Sequence, residues 1–123
     1  MDIAPITAVM LGLRLPDGVG ISPERMADAL GISLAELVSG ANVPPNVATD
    51  DPSFAPLQSH LRDLEAAVAA ASIISGDVRK AALWLRMEPI SAFRNLTGYQ
   101  LVCARRRDDL LSYLESIETG FVG

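Results

Sequence analysis

Leu57, Leu61, Leu64, Val68 and Ala71 recur at i, i+4, i+7, i+11 and i+14. That spacing is one face of an α-helix. The periodicity predicts the longest helix of the chain, starting at Pro56 or Leu57 and ending near Ser75-Gly76, and the rest must be arranged around it. Residues 66–71 are Ala except for Val68. Small side chains combine high helix propensity with close approach of neighbouring helices, so this segment is expected to pack centrally or across a dimer axis. His60, next to Leu61, is placed on the polar side and expected to be exposed and inert.

The segments before it also read as helical. A short helix is expected at Ile6–Leu13, followed by a turn at Pro16-Asp17-Gly18. Ser22 can cap a second helix with Pro23 in its first turn, Met26, Ala27 and Leu30 as its apolar stripe, and Gly31 as its stop. Ser33 and Glu36 have capping-box spacing for a third, whose buried side is Leu34, Leu37 and Val38 and whose stop is Gly40. Two short helices joined by Gly-Ile-Ser form a helix-turn-helix pattern. A DNA-reading second helix offers Arg, Lys, Asn or Gln to base edges. Here Ser33–Gly40 offers only Ser33, Glu36 and Ser39, so Ser33 and Ser39 are the sole candidate DNA contacts, and a structural or dimer-forming role is favoured. Charge agrees: the net charge is −5, and residues 1–61 hold Arg14 and Arg25 against Asp2, Asp17, Glu24, Asp28, Glu36, Asp50 and Asp51. Attraction to phosphate would have to come from elsewhere.

Pro44, Pro45 and Pro52 break up residues 41–54, which read as a loop: either a hinge or a surface excursion. The chain accordingly divides into a helix-turn-helix-like region with its loop, 1–54, and a helical region, 55–123. The expected fold class is all-α. At 123 residues the chain can bury roughly two thirds of its unfolded surface without disulfide or metal. Cys103 and His60 are each the only residue of their type, so neither an internal bridge nor a Cys/His metal cluster can form. No cofactor is expected. The N-terminal residues lack a basic n-region and their apolar run is broken by Gly12 and Arg14, which reads against a signal peptide. No run approaches the roughly 20 residues of a membrane span. A cytoplasmic protein is the expectation.

Aromatic and basic residues concentrate in the last third. Residues 77–123 hold Trp84, Tyr99 and Tyr113, Phe93 and Phe121, Cys103, and the basic residues Arg79, Lys80, Arg86, Arg94, Arg105, Arg106 and Arg107. Asp77 can cap a helix with Val78, Ala81, Ala82 and Leu85 inward, stopped by Pro89. Trp84 is either a core anchor or a binding hot spot. Thr97 and Gln100 have capping-box spacing for a helix running to Arg105-Arg106-Arg107, and Asp108-Asp109 open the last one, with Leu110, Leu111, Leu114 and Ile117 at helical spacing. Arginines closing one helix and aspartates opening the next suit both dipoles; the rival reading of the arginines is a patch for an anion or acidic partner. Cys103 reads as a small buried side chain. No nucleophile–base pair or phosphate loop stands out, so a non-enzymatic protein is expected; only a folded cluster of Cys103, His60 and a carboxylate would supply one. Phe121 and Val122 follow a plausible helix stop at Gly120, and either fold back or insert into a partner.

Ala81, Trp84, Leu85, Pro89, Phe93, Thr97, Leu114, Ile117 and Gly120 together give Ala-x-x-Trp-Leu, a Pro, Phe-x-x-x-Thr and a final Leu-x-x-Ile-x-x-Gly. This pattern resembles the toxin-binding domain of the Xre/MbcA/ParS antitoxins over about residues 77–123. The resemblance implies a type II antitoxin that binds a RES-domain toxin, an enzyme that consumes NAD or uses it for ADP-ribosylation, and blocks its active site. It also implies a homodimer or a hetero-oligomer with the toxin, and repression of the operon through the helix-turn-helix. Carried over, Gly120, Phe121, Val122 and Gly123 form the blocking segment, with Trp84, Arg105, Arg106 and Arg107 as further toxin-binding candidates. The alternative is a DNA-binding repressor. Two positions depart from the family pattern: Gly98 stands where Pro is usual, and Asn95 where a Gly-rich turn would supply positive φ.

Overall fold

The structure is a computed structural model and describes residues 20–119. The expected helix at Ile6–Leu13, the turn at Pro16-Asp17-Gly18 and the segment Gly120–Gly123 lie outside the described residues. The order is α1 (Pro23–Leu30), α2 (Leu34–Ala41), α3 (Val47–Asp50), α4 (Ala55–Ser75), α5 (Val78–Met87), β1 (Pro89–Ile90), a 3₁₀ turn (Ser91–Phe93), β2 (Leu96–Thr97), α6 (Gly98–Cys103) and α7 (Arg107–Glu118). The fold is all-α, and among the elements just given only β1 and β2 are strands. These run antiparallel, with Pro89 opposite Thr97 and Ile90 opposite Leu96. The 21-residue α4 extends about 30 Å at 1.5 Å per residue and is the axis on which α1, α2, α5, α6 and α7 pack. No described helix is long and apolar enough to cross a membrane.

The stripe that defines α4 is buried as its period requires: Leu57, Leu61, Leu64, Val68 and Ala71 all face the core. Ala67 joins them, so the inner side of the alanine run packs centrally against the neighbouring helices. The core continues without a break from Ile21 to Leu114, crossing the sequence boundary at residue 54. Gln58 makes that junction. Its Nε2 donates to the Ile21 carbonyl at 2.8 Å and to the Pro52 carbonyl at 2.7 Å, and its Oε1 accepts from the Ile21 N–H at 2.8 Å. Ile21 is fully buried, so Gln58 completes both hydrogen-bonding groups of a backbone unit that water cannot reach.

Local chemistry sets the helix ends. Ser22 Oγ accepts from the Arg25 N–H at 3.2 Å, and Asp77 Oδ1 accepts from the Arg79 N–H at 2.8 Å. Gly31 and Gly76 close α1 and α4 with φ of 73° and 77°, the left-handed conformation in which a Cβ is unfavourable. Thr97 and Gln100 form a complete capping box, at 3.1 Å and 2.9 Å. Of the box expected at Ser33, the structure shows the bond from the Glu36 N–H to Ser33 Oγ, at 3.0 Å.

Three expectations are corrected. Residues 41–54 are not free of helix: Val47 and Ala48 in α3 are buried and anchor the segment to the core. Gly40 does not stop α2, which continues to Ala41 and is capped by Asn42 with φ 59°. A Cβ at Gly40 would stand 2.8 Å from Cys103 Sγ and 2.9 Å from the Tyr99 hydroxyl, so this glycine allows close approach instead of a turn. The third concerns the arginines. Helix α6 ends at Cys103, Arg105 takes φ 61°, and Arg107 is the first residue of α7. Arg106 and Arg107 thus sit at a helix N-terminus, where positive charge is unfavourable, with Asp108 and Asp109 offsetting it in the same turn.

Gly98 and Asn95 also have local reasons. A Cβ at residue 98 would lie 2.6 Å from Leu85 Cδ2, so glycine lets the Leu85 side chain pack close against the start of α6. Arg94 and Asn95 both take positive φ, 55° and 64°, supplying the turn that glycines would otherwise make.

Candidate functional site

On α2, Ser33 is engaged in its own helix cap. The other exposed positions are Ala35, Glu36 and Ser39. Such a surface carries one carboxylate and no base, with the Ser39 hydroxyl as its exposed hydrogen-bonding group besides Ser33.

The arginines are held within the fold. Arg106 Nε lies 2.8 Å from Asp109 Oδ2, and Arg107 reaches Asp63 at 3.1 Å and Asp108 at 3.3 Å. The Arg106 guanidinium also stacks 5.3 Å from the centre of the Phe93 ring, itself edge-on to Tyr113. These contacts fasten α7 to α4 and to the turn between β1 and β2. Arg105 makes no ion pair among the described residues.

Arg105 instead borders a pocket of about 330 Å³ between the C-terminal ends of α2 and α6, into which His60, Asp63 and Cys103 also converge. His60 is therefore not the exposed residue its neighbourhood suggested. It is 6% exposed, because it lies three residues after Leu57 and four before Leu64, on the edge of the apolar stripe. Cys103 is half-buried and next to Tyr99.

His60, Cys103 and the Asp63 carboxylate thus line one pocket, the grouping that the sequence left as the one way to a nucleophile and base. Burial pushes the Cys103 thiol up, the Tyr99 hydroxyl opposing, and burial pushes the Tyr99 phenol up as well. Burial also lowers His60, with Asp63 opposing and Arg105 adding to the shift. A thiol catalyst needs a lowered thiol beside a base that can hold its proton. Among the described residues no group of three His, Cys, Asp or Glu side chains is placed to hold a metal ion.

His60 gives a pH prediction. Its folded pKa lies below the ordinary 6.5, so the unfolded chain takes up the proton first as pH falls. Unfolding free energy should therefore decline as pH drops below about 6.5, a loss His60→Gln should remove. Urea unfolding at pH 7.5 and pH 5.5 checks this; equal slopes for the two proteins would refute it.

On another side, Trp84 rims an apolar groove of about 290 Å³ between α4, α5 and α7, lined also by Ile74, Ala81, Leu114 and Ile117. Trp84 packs on the core but is only partly buried, and Ile117 is 40% exposed. Trp84 thus packs on the core with part of its surface open to solvent. The groove and the arginines are separate places. Arg107 begins α7 and Ile117 stands near its end, about 15 Å along the helix. The structure does not join them into one patch.

Compared with known proteins, the chain matches no family model, no curated protein and no solved structure.

Proposed function

We propose that this chain is a protein-binding antitoxin whose Trp84 groove receives part of a RES-domain toxin, with Gly120–Gly123 as the segment that blocks the toxin's active site. One observation carries the reading. Ala81, Trp84, Leu114 and Ile117, four of the residues on which the family resemblance rests, come from two helices and line a single open apolar groove. Ala81 and Leu114 are buried there, while Trp84 and Ile117 leave a half-open aromatic and an exposed isoleucine at one place. Trp is among the residue types enriched in binding hot spots. Gly120 follows Ile117 by three residues in the sequence.

Neutralisation by occlusion asks for no catalytic group on this chain. It needs affinity from the groove and an inserted segment that excludes substrate. The test is co-expression with a RES-domain toxin in a growth assay, comparing the whole chain with one ending at Thr119. The shortened chain should fold, shown by an unchanged helical circular dichroism spectrum, and fail to rescue growth. Full rescue by it would eliminate the blocking role of Gly120–Gly123, and failure of the whole chain to rescue would eliminate the antitoxin reading for that toxin.

A further inference from the structure

Three large apolar side chains stand exposed among the described residues: Leu83 at 55%, Met87 at 63% and Ile117 at 40%. Ile117 belongs to the groove. Leu83 and Met87 do not, and they lie one turn apart on the outer face of α5, forming a short apolar ridge. Arg79 flanks this ridge on one side and Lys80 on the other, since they precede Leu83 by four and three residues. Both are exposed, and neither makes an ion pair among the described residues.

Helix α5 contains no Asp or Glu. Of its immediate neighbours, Asp77 holds the Arg79 N–H as the helix cap and Glu88 follows at the other end. A chain of net charge −5 thus presents one helix face whose charges are all positive, around side chains that water solvates poorly. Lys80 also borders the Trp84 groove, so the two surfaces are continuous.

We propose that the outer face of α5 is a docking surface for an acidic amphipathic helix of a partner protein. The match is geometric as well as electrostatic. An apolar stripe with carboxylates along both sides would set its stripe on Leu83 and Met87 and its acids against Arg79 and Lys80. Methionine suits such a site because its unbranched side chain adapts to the packing presented. The inference stands on the α5 face alone and holds whichever protein carries the helix.

The test uses the whole chain and two synthetic amphipathic helical peptides with the same leucine stripe, one flanked by Glu and one by Lys. Trp84, the only tryptophan, reports binding by fluorescence. The Glu peptide should bind about tenfold or more tighter than the Lys peptide, and its affinity should fall as salt rises. Arg79→Glu with Lys80→Glu should reverse the preference. The same charge change at the exposed Arg62 and Arg94, written R62E and R94E, should leave it intact. Leu83→Ser with Met87→Ser should abolish binding while the circular dichroism spectrum stays the same. Equal affinity for the two peptides, no binding of either, or a preference lost as readily in the R62E/R94E protein would each overturn the proposal. So would sedimentation showing a dimer of the free chain dissolved by Leu83→Ser, or a DNA duplex that binds through Arg79 and Lys80.

Discussion

Replacing Gln58 with Leu should lower the unfolding free energy by about 2–5 kcal/mol, although it exchanges a polar residue for an apolar one of similar size inside the protein. The side chain is 7% exposed and holds three backbone groups: the Ile21 N–H, the Ile21 carbonyl and the Pro52 carbonyl. Leucine would keep the volume, so no cavity term enters. The loss comes from orphaned groups, each costing about 1–3 kcal/mol when cut off from both water and partner. Local opening toward water relieves part of that cost, which is why the total stays below the simple sum. The damage should also be localised. Gln58 ties residues 21 and 52 to the first turn of α4, so amide exchange should quicken at Ile21 and through α1–α3 before it does in the middle of α4. Urea denaturation measures the total, and hydrogen exchange its distribution. An unchanged midpoint with unchanged protection at Ile21 would show that the clamp carries no stability.

Gln58 also marks where reading a sequence stops. Helix α4 was legible because its apolar residues repeat with the helical period, and burial of one face follows from that period alone. The caps at Ser22, Asp77 and Thr97 were legible because each acts on a backbone N–H two or three residues away. Gln58 is a polar residue in a first turn, and its partners lie 37 and 6 residues off. No local pattern distinguishes it from an exposed glutamine. Gly40 fails for the same reason: its neighbours Cys103 and Tyr99 are some 60 residues later. A glycine allowing close approach then looks like one that stops a helix.

His60 is different, since its signal was present. Its spacing from Leu57 and Leu64 places it on the stripe's edge, and there position outweighs chemical type. The three arginines read as the end of α6, whereas Arg105 lies between the helices, Arg106 is the N-cap of α7 and Arg107 begins it. The dipole argument is sound, but the positive φ of Arg105 moves the end of α6 upstream and leaves Arg107 in α7. Candidate site residues followed the same division. Trp84 was legible as an aromatic in a helix, whereas the groove beside it needs Ile74, Leu114 and Ile117 from two other helices.

If the groove receives the toxin, its two half-open side chains should dominate binding, and they permit a cleaner dissection than the arginines do. Trp84→Ala should weaken the complex with a catalytically inert RES-domain toxin by about 30-fold or more, corresponding to about 2 kcal/mol, the usual threshold of a hot spot. It should also lower the unfolding midpoint, because Trp84 packs against the core as well as lining the groove. Ile117→Ser separates the two effects. Ile117 is 40% exposed near the end of α7, so removing its apolar surface should cost the fold little while reducing affinity several-fold. Arg106→Ala predicts the opposite pattern. Its guanidinium is engaged by Asp109 and stacked on Phe93, so stability should fall slightly and affinity hardly at all. Titration calorimetry with the purified toxin, set beside thermal unfolding of each variant, distinguishes these patterns. Full affinity in both Trp84→Ala and Ile117→Ser would remove the groove from the binding surface. A large loss in Arg106→Ala alone would move that surface to the start of α7, where the chain's ion pairs already hold its own helices together.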